Sequence, residues 1–188
     1  MEFWDIYYQY YERVRKFILT IIKDEWVADD IIQETFVKIQ KNFDQLKDPT
    51  KISAWIFRIA YNLCQDHFRR QKNSAIADNH IEAHTEILSK PIFQKQLEQH
   101  QMGECVQVEI NRLPESLRTV LVLFDVLEFS QKEIAEILDI TPQNVKVRLH
   151  RARKKLKVIL EEKCNFEKDE RNVLVCEPIN AKTAQKDK

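Results

Sequence analysis

The stretch SQKEIAEILDITPQNVKVRLHRAR, residues 130–153, decides the fold. Ser130 and Glu133 stand at the spacing of a capping box, in which each side chain satisfies an end amide of the other residue. This predicts a short helix from Gln131 to Leu138 with Ile134, Ala135 and Leu138 facing inward, and Ala135 is small enough for a close helix crossing. Asp139-Ile140 predicts a tight turn, because aspartate tolerates the left-handed conformation better than most residues. Thr141-Pro142 predicts a second N-cap with proline at the first helical position, where its missing N–H costs little. The helix that follows reaches about Leu160. Val145, Leu149 and Ala152 form its inner face at helical spacing, which leaves Asn144, Lys146, Val147, His150 and Arg151 outward.

Two short helices joined by a tight turn, the second of them basic, read as a helix-turn-helix. Such a motif presents the N-terminal residues of its second helix to base edges in the major groove. Lysine and arginine favour guanine there, and asparagine favours adenine. The later cations Arg153, Lys154, Lys155 and Lys157 are placed for phosphates, which position the protein rather than specify a sequence. From Thr141 to Lys157 there are seven Lys/Arg and no acid, although the whole chain has a formal net charge of zero. From Ser74 to Glu104 the balance reverses, with five acids against two lysines. The distribution of charge, more than its sum, therefore marks a segment suited to nucleic acid.

Upstream, the apolar residues also recur at threes and fours. Residues 3–22 carry Phe3, Ile6, Tyr7, Tyr10, Val14, Phe17, Ile18 and Ile21, and the stripe is broken by Lys23-Asp24-Glu25. A second helix is predicted from Val27 to Gln40 on Ile31, Ile32, Phe36 and Ile39. Phe43 to Ile52 reads as a loop. Ser53 offers an N-cap to a third helix that runs to about Arg70, with Trp55, Ile56, Ile59, Leu63 and Phe68 on one side. Near Cys105 the period returns in Val106, Ile110, Leu113, Val120, Leu123, Phe124 and Leu127, with Pro114 in the first turn of its helix. The expected fold is all-α. Two small helical domains, 1–73 and 105–160, are joined by a linker, 74–104, and followed by an extension, 161–188. The β-prone Val173–Cys176 makes Cys164 to Pro178 a candidate β-hairpin.

Composition excludes several chemistries. The 188 residues hold one glycine, Gly103. A P-loop and a dinucleotide fingerprint both need more. His80-Ile-Glu-Ala-His84 puts its glutamate one place off the zinc-protease pattern, and two histidines do not make a metal site. Adjacent carboxylates such as Asp29-Asp30 point about 100° apart on a helix and do not converge on a substrate. No catalytic residue, cofactor or metal is expected. Cys64, Cys105, Cys164 and Cys176 do not resemble a disulfide framework. Cys164 and Cys176, across the candidate hairpin, read as ordinary thiols or as a redox or metal pair. With no apolar run long enough to span a bilayer and no secretory leader, a cytoplasmic protein is expected.

These residues resemble a known family. Leu113-Pro-Glu-Ser-Leu-Arg118, Ser130 to Leu138 and Asn144 to Arg153 look like region 4 of extracytoplasmic-function sigma factors of the sigma-70 family. Asp30-Ile-Ile-Gln-Glu-Thr-Phe36 resembles the polymerase-docking helix of their region 2. Ala54 to Asn62 and Asp66-His-Phe-Arg-Arg70 resemble its −10 segment. The resemblance covers about residues 3–160.

It implies a promoter-specificity subunit. Asp30, Gln33 and Glu34 fall where the family docks on the clamp helices of the largest RNA polymerase subunit, and region 4 is implied to meet the flap of the second. Leu46, Arg58, Asn62, Arg69 and Arg70 fall on the −10 surface, with Asn62 beside the pocket for a flipped base. Leu46 stands where relatives often carry phenylalanine. Asn144, Lys146, Val147, Arg148, His150, Arg151, Arg153 and Lys154 fall on the −35 surface, where Val147 and His150 depart from the usual serine and aromatic. Partners implied are core polymerase, promoter DNA and, as a candidate, an anti-sigma factor, with the two domains held apart on polymerase by the acidic linker. A stand-alone helix-turn-helix regulator, or a relative that titrates polymerase without starting transcripts, is the competing reading.

Overall fold

A computed structural model describes residues 2–46, 48–77, 106–168 and 174–178. Its helices are α1 (Phe3–Ile21), α2 (Glu25–Asn42), α3 (Ile52–Ala77), α4 (106–112), α5 (Glu115–Leu121), α6 (Gln131–Leu138) and α7 (Pro142–Lys163). A π-helical turn, Val122–Val126, continues α5. Two strands follow, β1 (Cys164–Lys168) and β2 (Leu174–Pro178), paired antiparallel with Cys164 opposite Pro178 and Phe166 opposite Cys176. The predicted hairpin is therefore present, and its two cysteines occupy different rungs. Its turn, residues 78–104 of the predicted linker and the His80/His84 pair lie outside the described residues, while the linker's first four residues, 74–77, continue α3.

Each helix begins where the local chemistry directs. Asp24 caps α2 by accepting from the backbone amides of Trp26 at 2.9 Å and Val27 at 3.2 Å. The Lys23–Glu25 break is thus a start signal as well as a stop. Ser130 and Glu133 form the predicted capping box on α6. Thr141 Oγ1 accepts from the amide of Asn144 at 3.2 Å. Asp139 lies at φ 54°, ψ 48°, the left-handed conformation that a tight inter-helix turn requires.

Three local expectations are corrected. Ser53 is not an N-cap. Two 3-10 turns, Phe43–Gln45 and Pro49–Lys51, bridge α2 to α3, and α3 opens at Ile52 straight from the second. Asp48 supplies the cap, accepting from the Thr50 amide at 3.0 Å, because its side chain precedes a proline that cannot donate. Pro114 stands one place before α5, at its N-cap. α3 is also a full turn or more longer than its apolar stripe, running on to Ala77.

Buried Ile6, Val14, Phe17, Ile31, Phe36, Ile56 and Phe57 fill an N-terminal three-helix module, while Val120, Leu123, Ile134, Ile137, Val145 and Leu149 fill the C-terminal one. The two cores are continuous. Phe57 of α3 meets Phe129 edge-on, with ring centroids 4.8 Å apart. Arg13 lies over both of these rings and donates through Nη2 to the Leu127 carbonyl at 2.8 Å. From the other side Arg118, buried, donates to the Asn111 carbonyl at 2.8 Å and to the Ile21 carbonyl, at the C-terminal end of α1, at 3.4 Å. A guanidinium at a helix C-terminus meets an unsatisfied carbonyl and the negative end of the dipole together. Burial lowers the pKa of Arg118, and burial together with Arg118 lowers that of nearby Lys23. Each module thus inserts one arginine into a backbone end of the other.

Candidate nucleic-acid interface

The predicted recognition residues lie on α7. Val145, Leu149 and Ala152 are buried, so the rotation of α7 is fixed and Asn144, Lys146, Val147, His150 and Arg151 are exposed. Lys154 and Lys155 are exposed one turn further on. Three of the predicted contact residues, Asn144, Arg148 and Arg153, are engaged within the protein. Arg148 is half-buried and donates through Nε to Asn144 Oδ1 at 2.9 Å, which orients both side chains. Arg153 donates through Nε to Asp125 at 3.3 Å, pairs a second time through Nη2, and lies 5.1 Å from the Phe124 ring centroid. Its hydrogen bond to Asp125 raises its pKa further. A guanidinium so neutralised offers less to a phosphate than the lysine beside it.

The second surface is on α3 and the turn before it. Asn62 is exposed one turn beyond Arg58. Arg69 is exposed and pairs with Asp66 at 2.9 Å, and Arg70 is exposed. Leu46 closes the first 3-10 turn through its amide to the Phe43 carbonyl at 3.1 Å and packs on the core, so this position is filled by an aliphatic anchor rather than a free stacking ring.

The structure brings this surface up against the helix-turn-helix. Arg58 pairs with Asp139 in the left-handed turn at 3.6 Å, and Lys51 pairs with Glu136 on α6 at 3.0 Å. That bond and charge raise the pKa of Lys51. Gln65 donates to Glu115 at 3.2 Å. Tyr61, half-buried between them, has its pKa raised by burial and by Glu115, against the opposing charge of Arg148. Residues 58, 61 and 65 share one helical face, and that face is turned to the C-terminal module. Sequence reasoning missed the inter-module partners Arg13 and Arg118. A signal was present: Arg13 sits three residues after Tyr10 and four before Phe17, on the buried stripe of α1.

Asp30, Gln33 and Glu34 are exposed on α2, and Glu34 pairs with Lys38 at 3.4 Å. Behind them Ile31, Ile32 and Phe36 are buried. Among the described residues no group of three potential metal ligands converges, and no helix is long and apolar enough to cross a membrane.

Comparison with known proteins points the same way. Residues 6–74 match the family model for sigma-70 region 2, and residues 103–156 match that for sigma-70 region 4. The chain is 34% identical over 165 residues to the RNA polymerase sigma factor SigZ of Bacillus subtilis, covering 88% of this chain and 90% of that one. It is 30% identical over 164 residues to the ECF RNA polymerase sigma factor SigM of the same organism, covering 87% and 98%. Among solved structures, the sigma factor RpoE in complex with the anti-sigma factor NepR from Bartonella quintana shares the fold, with a TM-score of 0.74 at 20% identity, covering 85% of this chain and 96% of that one.

Proposed function

The chain belongs to the extracytoplasmic-function branch of the sigma-70 family, and from that membership we propose that it is a promoter-specificity subunit of RNA polymerase. It binds core enzyme through the exposed polar row Asp30, Gln33 and Glu34, and it reads a −35 duplex with the outward face of α7. It engages the −10 element with Asn62 and the cations Arg58, Arg69 and Arg70. Contacts to unpaired −10 bases then offset part of the cost of melting. No step in this scheme is catalysed by a side chain of the protein, and its place of work is that of polymerase, the cytoplasm. The observation that carries the reading is the exposed row on α7, held in register by Val145, Leu149 and Ala152.

The packing of the modules adds a step. Elements centred about 25 base pairs apart lie on the order of 80 Å apart at 3.4 Å per base pair. Arg58 of the −10 surface touches Asp139 of the helix-turn-helix, so the two readers cannot engage both elements while so joined. The arrangement is a closed form, and the modules part on polymerase. A sigma factor relative is solved with an anti-sigma factor, and such an inhibitor is a candidate partner here, acting by holding the closed form.

The test is co-purification with core polymerase followed by run-off transcription from a genomic promoter library. Transcripts sharing −35 and −10 elements, lost in Asn62→Ala and in Lys146→Ala/Arg151→Ala, are the expected result. Core binding without transcripts favours the titrating relative. Duplex binding without core association favours a stand-alone regulator.

A further inference from the structure

The hairpin β1–β2 carries two of the chain's four cysteines, and its register decides how they can meet. Cys164 stands opposite Pro178, and Cys176 stands opposite Phe166. Successive residues of a strand alternate between its two faces. Cys164, Phe166, Cys176 and Pro178 therefore share one face, with the two cysteines as diagonal neighbours on it. Diagonal positions lie about 7–8 Å apart, just beyond the roughly 4.4–6.8 Å between Cα atoms that a disulfide bridges. A shift of one strand by two residues keeps every residue on its own face. It sets Cys164 opposite Cys176, where Cα atoms are about 4.5–5.5 Å apart. The fold anchors one strand more firmly than the other. Lys163, the residue before β1, donates to Oε1 of Glu109 on α4 at 2.7 Å, and Arg112 donates to the same oxygen at 2.7 Å. The Glu109 side chain is 4% exposed, so the root of β1 is tied to a buried carboxylate. Among the described residues, the ladder to β1 is the main packing of β2. A two-stranded ribbon is marginal by itself, and its register slips more readily than that of a sheet buried on a core.

We propose that Cys164 and Cys176 form a reversible disulfide site, closed by a hydroperoxide and accompanied by a two-residue shift of β2 along β1. One cysteine thiolate attacks a peroxide oxygen. The O–O bond breaks, an alcohol or water leaves, and the sulfur becomes a sulfenic acid. The second thiolate attacks that sulfur, the S–O bond breaks, and water leaves as the S–S bond forms. Two thiols are oxidised and one peroxide is reduced, and the thiol protons leave in the alcohol and the water. Cys64 does not compete. It is buried, and burial pushes its thiol up to about 12, so it holds almost no reactive thiolate. A metal fits less well, because two thiolates are half of a tetrahedral set, and among the described residues no three potential ligands converge. In a reducing compartment, a pair that must shift register to close stays open until oxidant rises. That is the behaviour of a sensing bridge rather than a structural one.

The test uses the full chain carrying Cys105→Ser, reduced, freed of reductant and treated with hydrogen peroxide. Remaining thiols are alkylated and the chain is cut with trypsin. The expected product is residues 164–168 linked to residues 172–182, lighter by two hydrogens than the two peptides together. Dithiothreitol is expected to return both peptides to the alkylated form, and non-reducing electrophoresis to show a single-chain band. A link between chains, or sulfinic acid at either cysteine with no link, overturns the site. The register shift has its own control. Cys176→Ser/Pro178→Cys places the cysteines opposite each other with no shift. In a glutathione buffer its equilibrium constant for closing is expected to exceed that of the parent pair by about tenfold, because a bridge that distorts its surroundings is the more easily reduced. Equal constants in the two chains overturn the shift.

Discussion

Arg58 of α3 reaches Asp139, the left-handed residue of the helix-turn-helix, at 3.6 Å, so one ion pair ties α3, with its proposed −10 surface, to the turn that sets the rotation of α7. Both groups are open to water, with Arg58 49% and Asp139 88% exposed. An exposed pair of this kind contributes about 0–1 kcal/mol. The contact of Phe57 with Phe129 and the donations from Arg13 and Arg118 carry more of the closed form. A weak clasp over a modest apolar contact is what the proposed opening on polymerase requires. With dyes at Gln40 and Lys154, and with Cys105, Cys164 and Cys176 replaced by serine, energy transfer is expected to be high in the free protein and to fall when core polymerase is added. Transfer unchanged by polymerase sinks the opening step.

The turn itself makes a second prediction. At φ 54° a Cβ crowds the following carbonyl, and aspartate offsets part of that strain locally. Asp139→Val is expected to destabilise the chain by about 1–2 kcal/mol, since a β-branched residue fits this conformation worst. Asp139→Gly is expected to stay within about 1 kcal/mol of the parent, relief of strain opposing the extra freedom of the unfolded chain. Urea unfolding at constant m-value measures both, and equal losses in the two variants would remove conformational strain as the explanation.

The reach of the sequence follows from the same distinction between local and long-range chemistry. The capping box at Ser130, the Thr141 cap, the Asp139 turn and the rotation of α7 depend on neighbours within four residues, and all are readable from spacing. Ser53 failed as a cap because the 3-10 turn before it, started by Asp48 and Pro49, had already ordered the chain. The joint between the modules was not legible. Arg13 and Arg118 bind backbone carbonyls 114 and 97 residues away in sequence, and no pattern marks a carbonyl as their acceptor. Arg153 shows the same limit at the candidate site: its charge was readable, but its partner Asp125, 28 residues back, was not.

Arg118 is expected to be the most costly of these arginines to remove. Arg118→Ala leaves the Asn111 and Ile21 carbonyls without their donor and opens a cavity between the modules. A loss on the order of 3 kcal/mol is expected from the unsatisfied groups and the lost packing. Arg118→Met, which keeps the volume, is expected to recover part of it. A loss below about 1 kcal/mol in the alanine variant, read by urea unfolding, would mean that the carbonyls find other partners.

Cys64 is buried, and burial foremost, with the Glu115 charge second, pushes its thiol up to about 12. The thiolate is the reactive form, so Cys64 is expected to resist alkylation at pH 8 in the native protein and to react in urea, as read by peptide mass. The linkage has a definite sign. The folded pKa lies above the ordinary thiol value of 9.0, so the neutral thiol favours the native state below that pH. This stability is lost as pH climbs from there towards 12, where the unfolded chain ionises first. Tyr61, raised by burial, acts in the same direction above its ordinary value. Cys64→Ala, with no thiol to ionise, is expected to show a flatter alkaline limb, and an unchanged limb excludes Cys64 as its source.

Arg153 and Lys154 are neighbours on α7 with the same formal charge, and they are expected to behave differently on DNA. Each phosphate neutralised by a protein cation releases condensed counterions, so log K falls against log salt with a slope of about −0.9 per contact. Lys154 is exposed, and no ion pair to it occurs among the described residues. Arg153 already spends its charge on Asp125 and its flat face on Phe124. Lys154→Ala is expected to weaken duplex binding across all sequences and to flatten the slope by about 0.9. Arg153→Ala is expected to change the slope less, while freeing Asp125 and loosening the packing of Phe124, so its main effect falls on stability. Polymerase-bound protein titrated with promoter duplex from low to moderate salt measures both slopes, and the thermal midpoint separates folding from binding. A slope change in Arg153→Ala as large as in Lys154→Ala would show that the Asp125 pair breaks on DNA and that Arg153 turns outward to a phosphate.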